Sequence, residues 1–205
     1  MKRGLAKLLV LLLTLPLLAS PAAATFADVP DDAWYSQATA YAQVKGFMNG
    51  VGDNRFDPQG TMTRGMLAVV LHRMAGAPSS MAGLDFTDIL KTSPWCADAV
   101  VWCAEQGIVT GVDATHFAPN DPVTREQVAL MLWRLAGWPQ VESTALFWDG
   151  DKIHDWSRLG VDWACRMGIV TGKADGSFDP QGYATRAEVA QMLLRFDRWR
   201  SAQAG

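Results

Sequence analysis

Cysteine and histidine are scarce in this chain, with three of each in 205 residues. An odd number of cysteines does not form a disulfide framework. Cys96 and Cys103 are seven residues apart, which on a helix separates their Cα atoms by about 10 Å, beyond disulfide reach. The histidines, His72, His116 and His154, are scattered and no Cys-x-x-Cys occurs, so no metal site is predicted. We expect the cysteines to pack as small buried apolar side chains.

The motifs of common hydrolases and nucleotide-binding enzymes are also missing. The chain has no Gly-x-Ser-x-Gly, no His-Glu-x-x-His and no P-loop. Acidic residues, which glycoside hydrolysis uses in pairs, are plentiful, but they recur with the repeat described below, whereas an acid–base pair is asymmetric. The sequence therefore predicts neither an enzyme nor a bound cofactor.

A long apolar run occurs only at the start of the chain. Residues 1–24 begin with basic residues, continue with an apolar run from Leu8 to Leu18 and end with three alanines, the pattern of a secretory signal peptide. Pro16 interrupts this run, which is too short to span a bilayer comfortably. We predict a cleaved signal peptide, with a retained anchor as the alternative, and no later segment that crosses a membrane.

Acidic residues outnumber basic residues after this predicted signal peptide. Three of the 18 Lys and Arg residues lie in the leader and none of the 21 Asp and Glu residues does, so the remainder has a formal charge of −6. An acidic chain without a basic stripe is a poor nucleic-acid binder. A nucleic-acid partner is therefore not predicted.

A period of 61 residues runs through the rest of the chain. The dipeptide Thr-Arg recurs at this spacing, at Thr63-Arg64, Thr124-Arg125 and Thr185-Arg186. Other landmarks keep the same register, among them Phe-x-Asp from Phe26, Phe86 and Phe147, a tryptophan at Trp34, Trp95 and Trp156, and Phe-x-Pro from Phe56, Phe117 and Phe178. Self-similarity at a fixed period is the signature of a repeat architecture.

These landmarks resemble the S-layer homology (SLH) repeat, which occurs in threes on bacterial surface proteins. Phe-x-Asp, Gly-Ile-Val-Thr-Gly, Phe-x-Pro and the Thr-Arg-Ala-Glu of residues 185–188 stand in the family's order, over about residues 26–199. The first two copies depart from this ending, as Thr-Arg-Gly-Met and Thr-Arg-Glu-Gln. The predicted organisation is a signal peptide at 1–24 followed by repeats at 25–78, 85–138 and 146–199.

The apolar periodicity predicts a mainly α fold with two principal helices in each repeat. The first helices are expected at about 32–45, 94–106 and 157–167, and the second helices after each Thr-Arg. Five tryptophans fall on the apolar stripes and are predicted to be core residues: Trp34, Trp95, Trp102, Trp156 and Trp163. Short extended pieces around Gly-Ile-Val and Phe-x-Pro are expected to pair weakly. The resemblance implies helix-loop-helix repeats in one pseudo-threefold bundle, so we expect a monomer.

The threonine of each Thr-Arg stands where a helix N-cap belongs, at Thr63, Thr124 and Thr185. Gln127 and Glu188 lie three residues after their threonines and can complete capping boxes, whereas Met66 cannot. A purely structural role is therefore open for Glu188 as well.

The arginine of each Thr-Arg falls at the first helical position, at Arg64, Arg125 and Arg186. A cation there is mildly unfavourable for the helix dipole, so capping alone does not explain it. An anion at that end would meet both free backbone N–H groups and a guanidinium, and an anion-binding role is one prediction. The alternative is a structural ion pair with an aspartate of a neighbouring repeat: Asp28, Asp88 or Asp149.

The resemblance implies a non-catalytic module that binds secondary cell wall polysaccharide, often through a pyruvate ketal on a terminal sugar, in grooves between repeats. The ligand-binding residues it implies are Arg64, Arg125 and Arg186, with Thr185 and Glu188 completing the full motif. Repeat three matches best and repeat two next. The expected location is the cell surface of a bacterium with a single membrane. The alternative is a surface adaptor or structural protein that holds another envelope protein by protein–protein contact.

Overall fold

The computed structural model describes residues 26–83, 85–142 and 147–203, so the predicted signal peptide lies outside the described residues. The described part contains seven α-helices: α1 Ser36–Val44, α2 Arg64–Met74, α3 Thr87–Thr92, α4 Ala97–Glu105, α5 Arg125–Leu135, α6 Asp155–Arg166 and α7 Arg186–Gln203. Short 3-10 turns at Pro94–Cys96 and Gly150–Lys152 precede α4 and α6. The prediction of a mainly helical fold is confirmed. None of the described helices combines the length and apolar character that a membrane crossing needs.

The first helix of each repeat packs on the second helix of the repeat before it. Helix α4 packs on α2, α6 on α5 and α1 on α7, so the third repeat returns to the first and closes a ring. Small side chains allow these close approaches, with Ala42, Cys103 and Ala164 fully buried at equivalent positions. The buried apolar residues of all three repeats form one continuous cluster. The repeats therefore share a core in a single pseudo-threefold bundle.

The segments that lead into the second helices meet at the centre of this bundle. Met62 N–H donates to Ala184 O at 3.0 Å, Ala184 N–H to Val123 O at 3.0 Å, and Val123 N–H to Met62 O at 2.9 Å. Backbone groups buried where three repeats converge must find partners, and here each repeat supplies them to another. Weak strand pairing was predicted around Gly-Ile-Val and Phe-x-Pro. Three of the four isolated β-bridges among the described residues lie instead in the segments that lead into the second helices.

The aspartate of each Phe-x-Asp holds the Phe-x-Pro loop of its own repeat. Asp28 accepts the N–H groups of Phe56 and Asp57 at 2.7 and 2.8 Å. Asp88 and Asp149 make the same bonds in their repeats. Burial alone would raise the pKa of Asp28, but these backbone N–H groups and Arg55 hold it below its usual value. The aspartates are therefore occupied as loop anchors.

Three of the five tryptophans predicted as core are exposed. The exposed fractions are 60% for Trp34, 54% for Trp95 and 51% for Trp156, whereas Trp102 and Trp163 are buried as predicted. Helix α1 begins at Ser36 rather than near residue 32, so Trp34 lies in a turn where helical periodicity does not apply. Trp156 lies in the first turn of α6 and stacks on the ring of His154 with centroids 5.4 Å apart. Trp34 and Trp95 each line a groove between repeats.

All three thiols are free. Cys96 and Cys103 are buried, and burial raises their pKa values to about 11 and about 12. Cys103 packs with its Sγ atom 3.6 Å from Ala68 O, at the contact between α4 and α2. These two side chains act as small apolar residues, as predicted.

Candidate functional site

The arginines of the Thr-Arg pairs are buried and connect neighbouring repeats. Their exposed fractions are 6% for Arg64, 3% for Arg125 and 7% for Arg186. Each donates its Nε–H to the carbonyl of the Phe-x-Pro phenylalanine of the next repeat, which is Phe117, Phe178 and Phe56 respectively. Each also donates from Nη2 to a second carbonyl there, on Thr110, Thr171 and Asn49. The three arginines therefore join the repeats around the ring.

The same phenylalanines also contact the guanidinium groups through their rings. The Cζ atoms of Arg64 and Arg186 lie 4.6 Å from the ring centroids of Phe117 and Phe56. This geometry adds a cation–π contact to the two hydrogen bonds. The repeated Phe-x-Pro and Thr-Arg motifs are thus the two halves of one contact between adjacent repeats.

The first-turn N–H groups of the second helices are occupied rather than free. Arg64 N–H donates to Asp121 O and Gly65 N–H to Pro119 O. Equivalent bonds link the start of α5 to Gly182 and Pro180, and the start of α7 to Gly60 and Pro58. The expectation that an anion would meet free backbone N–H groups at these helix ends is therefore wrong, because carbonyl groups of the next repeat take that place.

The threonines cap the helices. The side chains of Thr63, Thr124 and Thr185 accept the N–H of the residue three positions later, at 3.3, 3.4 and 3.2 Å. The side chains of Gln127 and Glu188 in turn accept hydrogen bonds from the backbone N–H groups of Thr124 and Thr185. Met66 has no oxygen with which to do the same for Thr63.

Arg125 alone among the three arginines is paired with an acid in the described residues. Its Nη1 lies 2.7 Å from Glu188 Oε1, while the other Glu188 oxygen accepts the N–H of Thr185 at 2.8 Å. No ion pair joins these arginines to Asp28, Asp88 or Asp149 among the described residues. Those carboxylates bind backbone N–H groups in their own repeats, while Asp88 and Asp28 attract Arg64 and Arg186 from a greater distance. Glu188 thus connects repeat three to repeat two as well as capping α7.

A groove of about 340 Å³ opens above this ion pair, and we call it the Arg125 groove. Arg125 comes from repeat two, Trp34 from repeat one, and the remaining lining residues from repeat three: Thr171, Gly172, Lys173, Ala174, Glu188, Gln191, Met192 and Arg195. All three repeats therefore contribute to it.

The cations of the Arg125 groove differ in how far they are compensated. Lys173 forms an ion pair with Asp179, and Arg125 is paired with Glu188. Arg195 donates to Thr171 Oγ1 at 3.3 Å and has no ion pair with any described residue. Burial lowers the pKa of Arg195 because its charge is partly withdrawn from water. Among the cations of the Arg125 groove, Arg195 is therefore the one best placed to bind an anion from solution.

An equivalent groove of about 310 Å³, the Arg186 groove, is lined by six apolar and three polar residues. Its lining residues are Met48, Asn49, Met62, Met66, Val69, Val70, Arg73, Trp95 and Arg186. By the repeat register, Met66 takes the place of Glu188 and Val69 that of Gln191. Arg73 corresponds to Arg195 and is exposed.

The third equivalent position, beside Arg64, is occupied by the packing of α6 against α5. Leu130 stands where Gln191 stands in repeat three and is buried. Gly160 lets α6 approach closely, since a Cβ atom on it would lie 2.7 Å from the Leu130 Cα atom. The buried Glu126 carboxylate accepts Ser157 Oγ–H at 2.7 Å and lies 2.7 Å from His154 Nδ1, which holds α6 onto α5. The three positions are therefore unequal.

A family model described as the S-layer homology domain matches residues 25–65, 85–129 and 146–190. The chain belongs to the S-layer homology domain family. These matches begin within one residue of the three predicted repeats, and each includes the Thr-Arg pair that connects it to its neighbour.

Relatives of this SLH chain include surface proteins and enzymes. It is 30% identical over 174 residues to an amylopullulanase of Thermoanaerobacterium thermosulfurigenes, covering 82% of this chain and 9% of that protein. It is 26% identical over 161 residues to a cellulosome-anchoring protein of Acetivibrio thermocellus, covering 73% and 35%. It is 28% identical over 156 residues to a surface-layer 125 kDa protein of Lysinibacillus sphaericus, covering 73% and 13%. This chain thus spans about a third or less of each of these relatives.

Sequence reasoning missed several residues of the Arg125 groove. Trp34 was predicted to be a core residue, and no ligand-binding role was predicted for Lys173. Gln191 and Arg195 were not singled out, although arginine recurs at Arg73, Arg134 and Arg195 with the 61-residue period. That recurrence on the exposed side of the second helix was an available signal for an SLH groove. Trp138 and Trp148 are also exposed but line neither groove.

Proposed function

We propose that this SLH chain is a non-catalytic anchoring module of the bacterial cell surface that binds secondary cell wall polysaccharide in the Arg125 groove. The observation that carries this proposal is the placing of an uncompensated cation, Arg195, beside an exposed aromatic ring, Trp34, in one groove. Membership of the SLH family and relatives named as surface-layer and cellulosome-anchoring proteins support the anchoring role.

The chemistry of the groove suits an acidic sugar. A carboxylate, such as that of a pyruvate ketal, pairs with a guanidinium through two hydrogen bonds. An apolar face of a sugar ring can rest on Trp34, which is 60% exposed. Glu188, Gln191 and Thr171 offer polar atoms to the hydroxyl groups. In this proposal Arg195 binds the anion, while Arg125 and Glu188 form the floor of the groove and fix the repeats that line it.

The test is co-sedimentation with cell walls of the bacterium that encodes the chain, before and after chemical removal of the secondary polymer. We expect binding to be lost with the polymer. We also expect Arg195→Gln and Trp34→Ala to lower the bound fraction at least ten-fold, as loss of a charge-assisted contact worth about 1.5–3 kcal/mol implies. Circular dichroism of each variant checks that it is folded.

Matched controls come from the Arg186 groove. Arg73→Gln and Trp95→Ala alter the equivalent positions there and should leave wall binding within about two-fold of wild type. Binding that survives removal of the polymer would indicate that the ligand is peptidoglycan instead. Wild-type binding by both Arg195→Gln and Trp34→Ala would show that the Arg125 groove is not the site.

A surface adaptor is the second candidate, and the exposed apolar side chains of the Arg186 groove favour it. Methionine is an adaptable contact residue for proteins, and the partly buried Met66 and Val69 lie beside the exposed Trp95 in that groove. A pull-down from the cell surface should then recover one stoichiometric protein, and Met66→Lys should abolish its recovery. Equal recovery by Met66→Lys and wild type would reject this use of the groove.

A further inference from the structure

A third cavity lies where the second helices of the repeats end, and we call it the C-terminal cavity. Its volume is about 380 Å³, and its lining residues are Ala75, Trp102, Gln106, Ile108, Arg134, Leu135, Gly137, Trp138 and Arg200. Ala75 follows α2, Trp138 follows α5 and Arg200 lies in α7. Only Arg134 among these residues shares the repeat position of Arg195 and Arg73, and none of them lines the Arg125 or the Arg186 groove. The cavity is thus a separate place in the fold.

Arg134 has no anionic partner among the described residues, although its guanidinium lies over the ring of Trp138. Its Nη1 makes a long hydrogen bond of 3.4 Å to Ile108 O, and its Nε atom is buried with no hydrogen-bond partner among the described residues. No described carboxylate forms an ion pair with it. Burial also lowers the pKa of this guanidinium. A partly buried cation short of partners is stabilised by an anion that reaches its terminal nitrogens.

Arg200, the other cation of the cavity, is already satisfied. It donates from Nη2 to Asp197 Oδ1 at 2.7 Å and from Nη1 to Met74 O at 3.0 Å. The second bond covers a terminal carbonyl of α2, which would otherwise present negative charge to an anion. The cavity therefore has one uncompensated positive charge, on Arg134, and matches a ligand with one negative charge.

Trp138 gives the cavity an aromatic wall. Its ring centroid lies 5.0 Å from Arg134 Cζ and 4.9 Å from the ring of Trp133, which packs edge-on against it. Trp138 has a φ of +59°, a backbone conformation that is strained for a bulky residue and persists where packing holds it in place. The residue remains 44% exposed, so part of its aromatic surface is accessible beside the contacts with Arg134 and Trp133.

We propose that the C-terminal cavity binds one carboxylate-bearing sugar, with Arg134 as the partner of the carboxylate and Trp138 as the surface on which the sugar ring stacks. A volume of about 380 Å³ lies in the range of small-molecule sites, which begins at about 300 Å³. Gln106 lies at the edge of the cavity and supplies an amide for a hydroxyl group. This site is independent of the wall-binding groove proposed above.

The test uses D-glucuronate as the probe and D-glucose as its uncharged counterpart, titrated into the folded chain by calorimetry and by NMR of the Trp138 indole N–H. We expect saturable glucuronate binding that shifts the Trp138 signal, and no such binding of glucose. Arg134→Gln and Trp138→Ala should each weaken glucuronate binding about ten-fold or more. Arg134→Lys, which keeps the charge but not the two-pronged donor, should bind with intermediate affinity.

The repeat register supplies matched controls at the same helical position. Arg73→Gln and Arg195→Gln should bind glucuronate like wild type at the Trp138 signal, although Arg195→Gln is expected to lose wall binding. Absence of glucuronate binding, equal binding of glucose, or wild-type binding by Arg134→Gln would overturn the proposal. Wall binding that fails while glucuronate still shifts Trp138 would reject only the function proposed for the Arg125 groove.

Discussion

At the scale of single residues, the arginine of each Thr-Arg pair joins two repeats directly. Arg186 reaches from repeat three to two carbonyl groups of repeat one, 130 and 137 residues away in the chain. Both bonds are 2.7 Å long, and the residue is 7% exposed. Charge-assisted bonds at buried carbonyls are among the stronger hydrogen bonds in proteins. Such residues hold the ring closed whatever else they bind.

We expect Arg186→Ala to lower the free energy of unfolding by about 3 kcal/mol, because it leaves Phe56 O and Asn49 O without their donor. Urea denaturation followed by circular dichroism measures this. Arg198→Ala, at an exposed position on the same helix, should change stability by less than about 0.5 kcal/mol. Equal stabilities of the two variants would contradict the structural role of Arg186.

Asp197 is a buried carboxylate that connects repeat three to repeat one. It is 3% exposed and accepts hydrogen bonds from Tyr41 of repeat one and from Arg200, both at 2.7 Å. Burial alone would raise its pKa, but these bonds together with Lys45 hold the pKa below its usual value. The stability it contributes is complete above the unfolded-state pKa of about 3.9 and is lost as the pH falls through the lower folded-state pKa.

We therefore expect unfolding free energies measured from about pH 6 down to about pH 2 to fall below about pH 4. Asp197→Asn should be less stable at neutral pH and should show a shallower loss in acid. Asp151→Asn, at an exposed position, should follow the wild-type profile. An Asp197→Asn profile parallel to that of wild type would contradict this assignment.

At the scale of elements, the loops before the second helices repeat one backbone conformation with different residues. The middle residue of Phe-x-Pro has a φ of +57° at Asp57, +59° at Ala118 and +55° at Asp179. Aspartate tolerates this left-handed region better than alanine does, since its carboxylate can bond locally. The loop of repeat two is therefore the least well adapted of the three.

Ala118→Gly should raise the free energy of unfolding by about 0.5–1 kcal/mol, because glycine adopts a positive φ without a Cβ penalty. Thermal unfolding by calorimetry is a sufficient measurement. Ala114→Gly, at an exposed alanine without a positive φ, should instead lower stability, since glycine gains unfolded-state entropy there. A decrease of the same size in both variants would show that the strain at Ala118 is negligible.

At the scale of the whole molecule, the three repeats form a closed ring rather than an open stack. Helix α1 packs on α7, and three central backbone bonds link each repeat to the others. Removing one repeat exposes an apolar helix face on each of its two neighbours. Repeats of this size bury so little surface that each would be marginally stable alone. The ring should consequently fold and unfold as one unit.

We expect urea unfolding of the whole chain to give coincident transitions by tryptophan fluorescence and by far-UV circular dichroism. A chain that stops at residue 142, without repeat three, should show no cooperative transition, because the central bonds to Val123 and Met62 and the faces of α1 and α5 lose their partners. A sharp transition in that shortened chain would show that two repeats suffice.

The amino-acid sequence by itself determined the repeats, the helices and their caps. The 61-residue period, the Thr-Arg pairs and the apolar stripes are local or periodic features, and the helices α2, α5 and α7 begin where these features place them. Capping by Thr124 and Gln127 spans three residues and so is readable from the sequence. The register of the repeats also made the SLH family recognisable.

Only the tertiary structure decided which repeat meets which, and with it the grooves. Arg125 and Glu188 are 63 residues apart and form one ion pair, and Trp34 joins them from a third repeat. Trp34, Trp95 and Trp156 lie in a turn or at a helix start, so helical periodicity could not show whether their side chains are exposed or buried. Closure of the position beside Arg64 depends on a helix approach at Gly160 that no local pattern records. Local forces select the helices, whereas contacts between distant residues select the site.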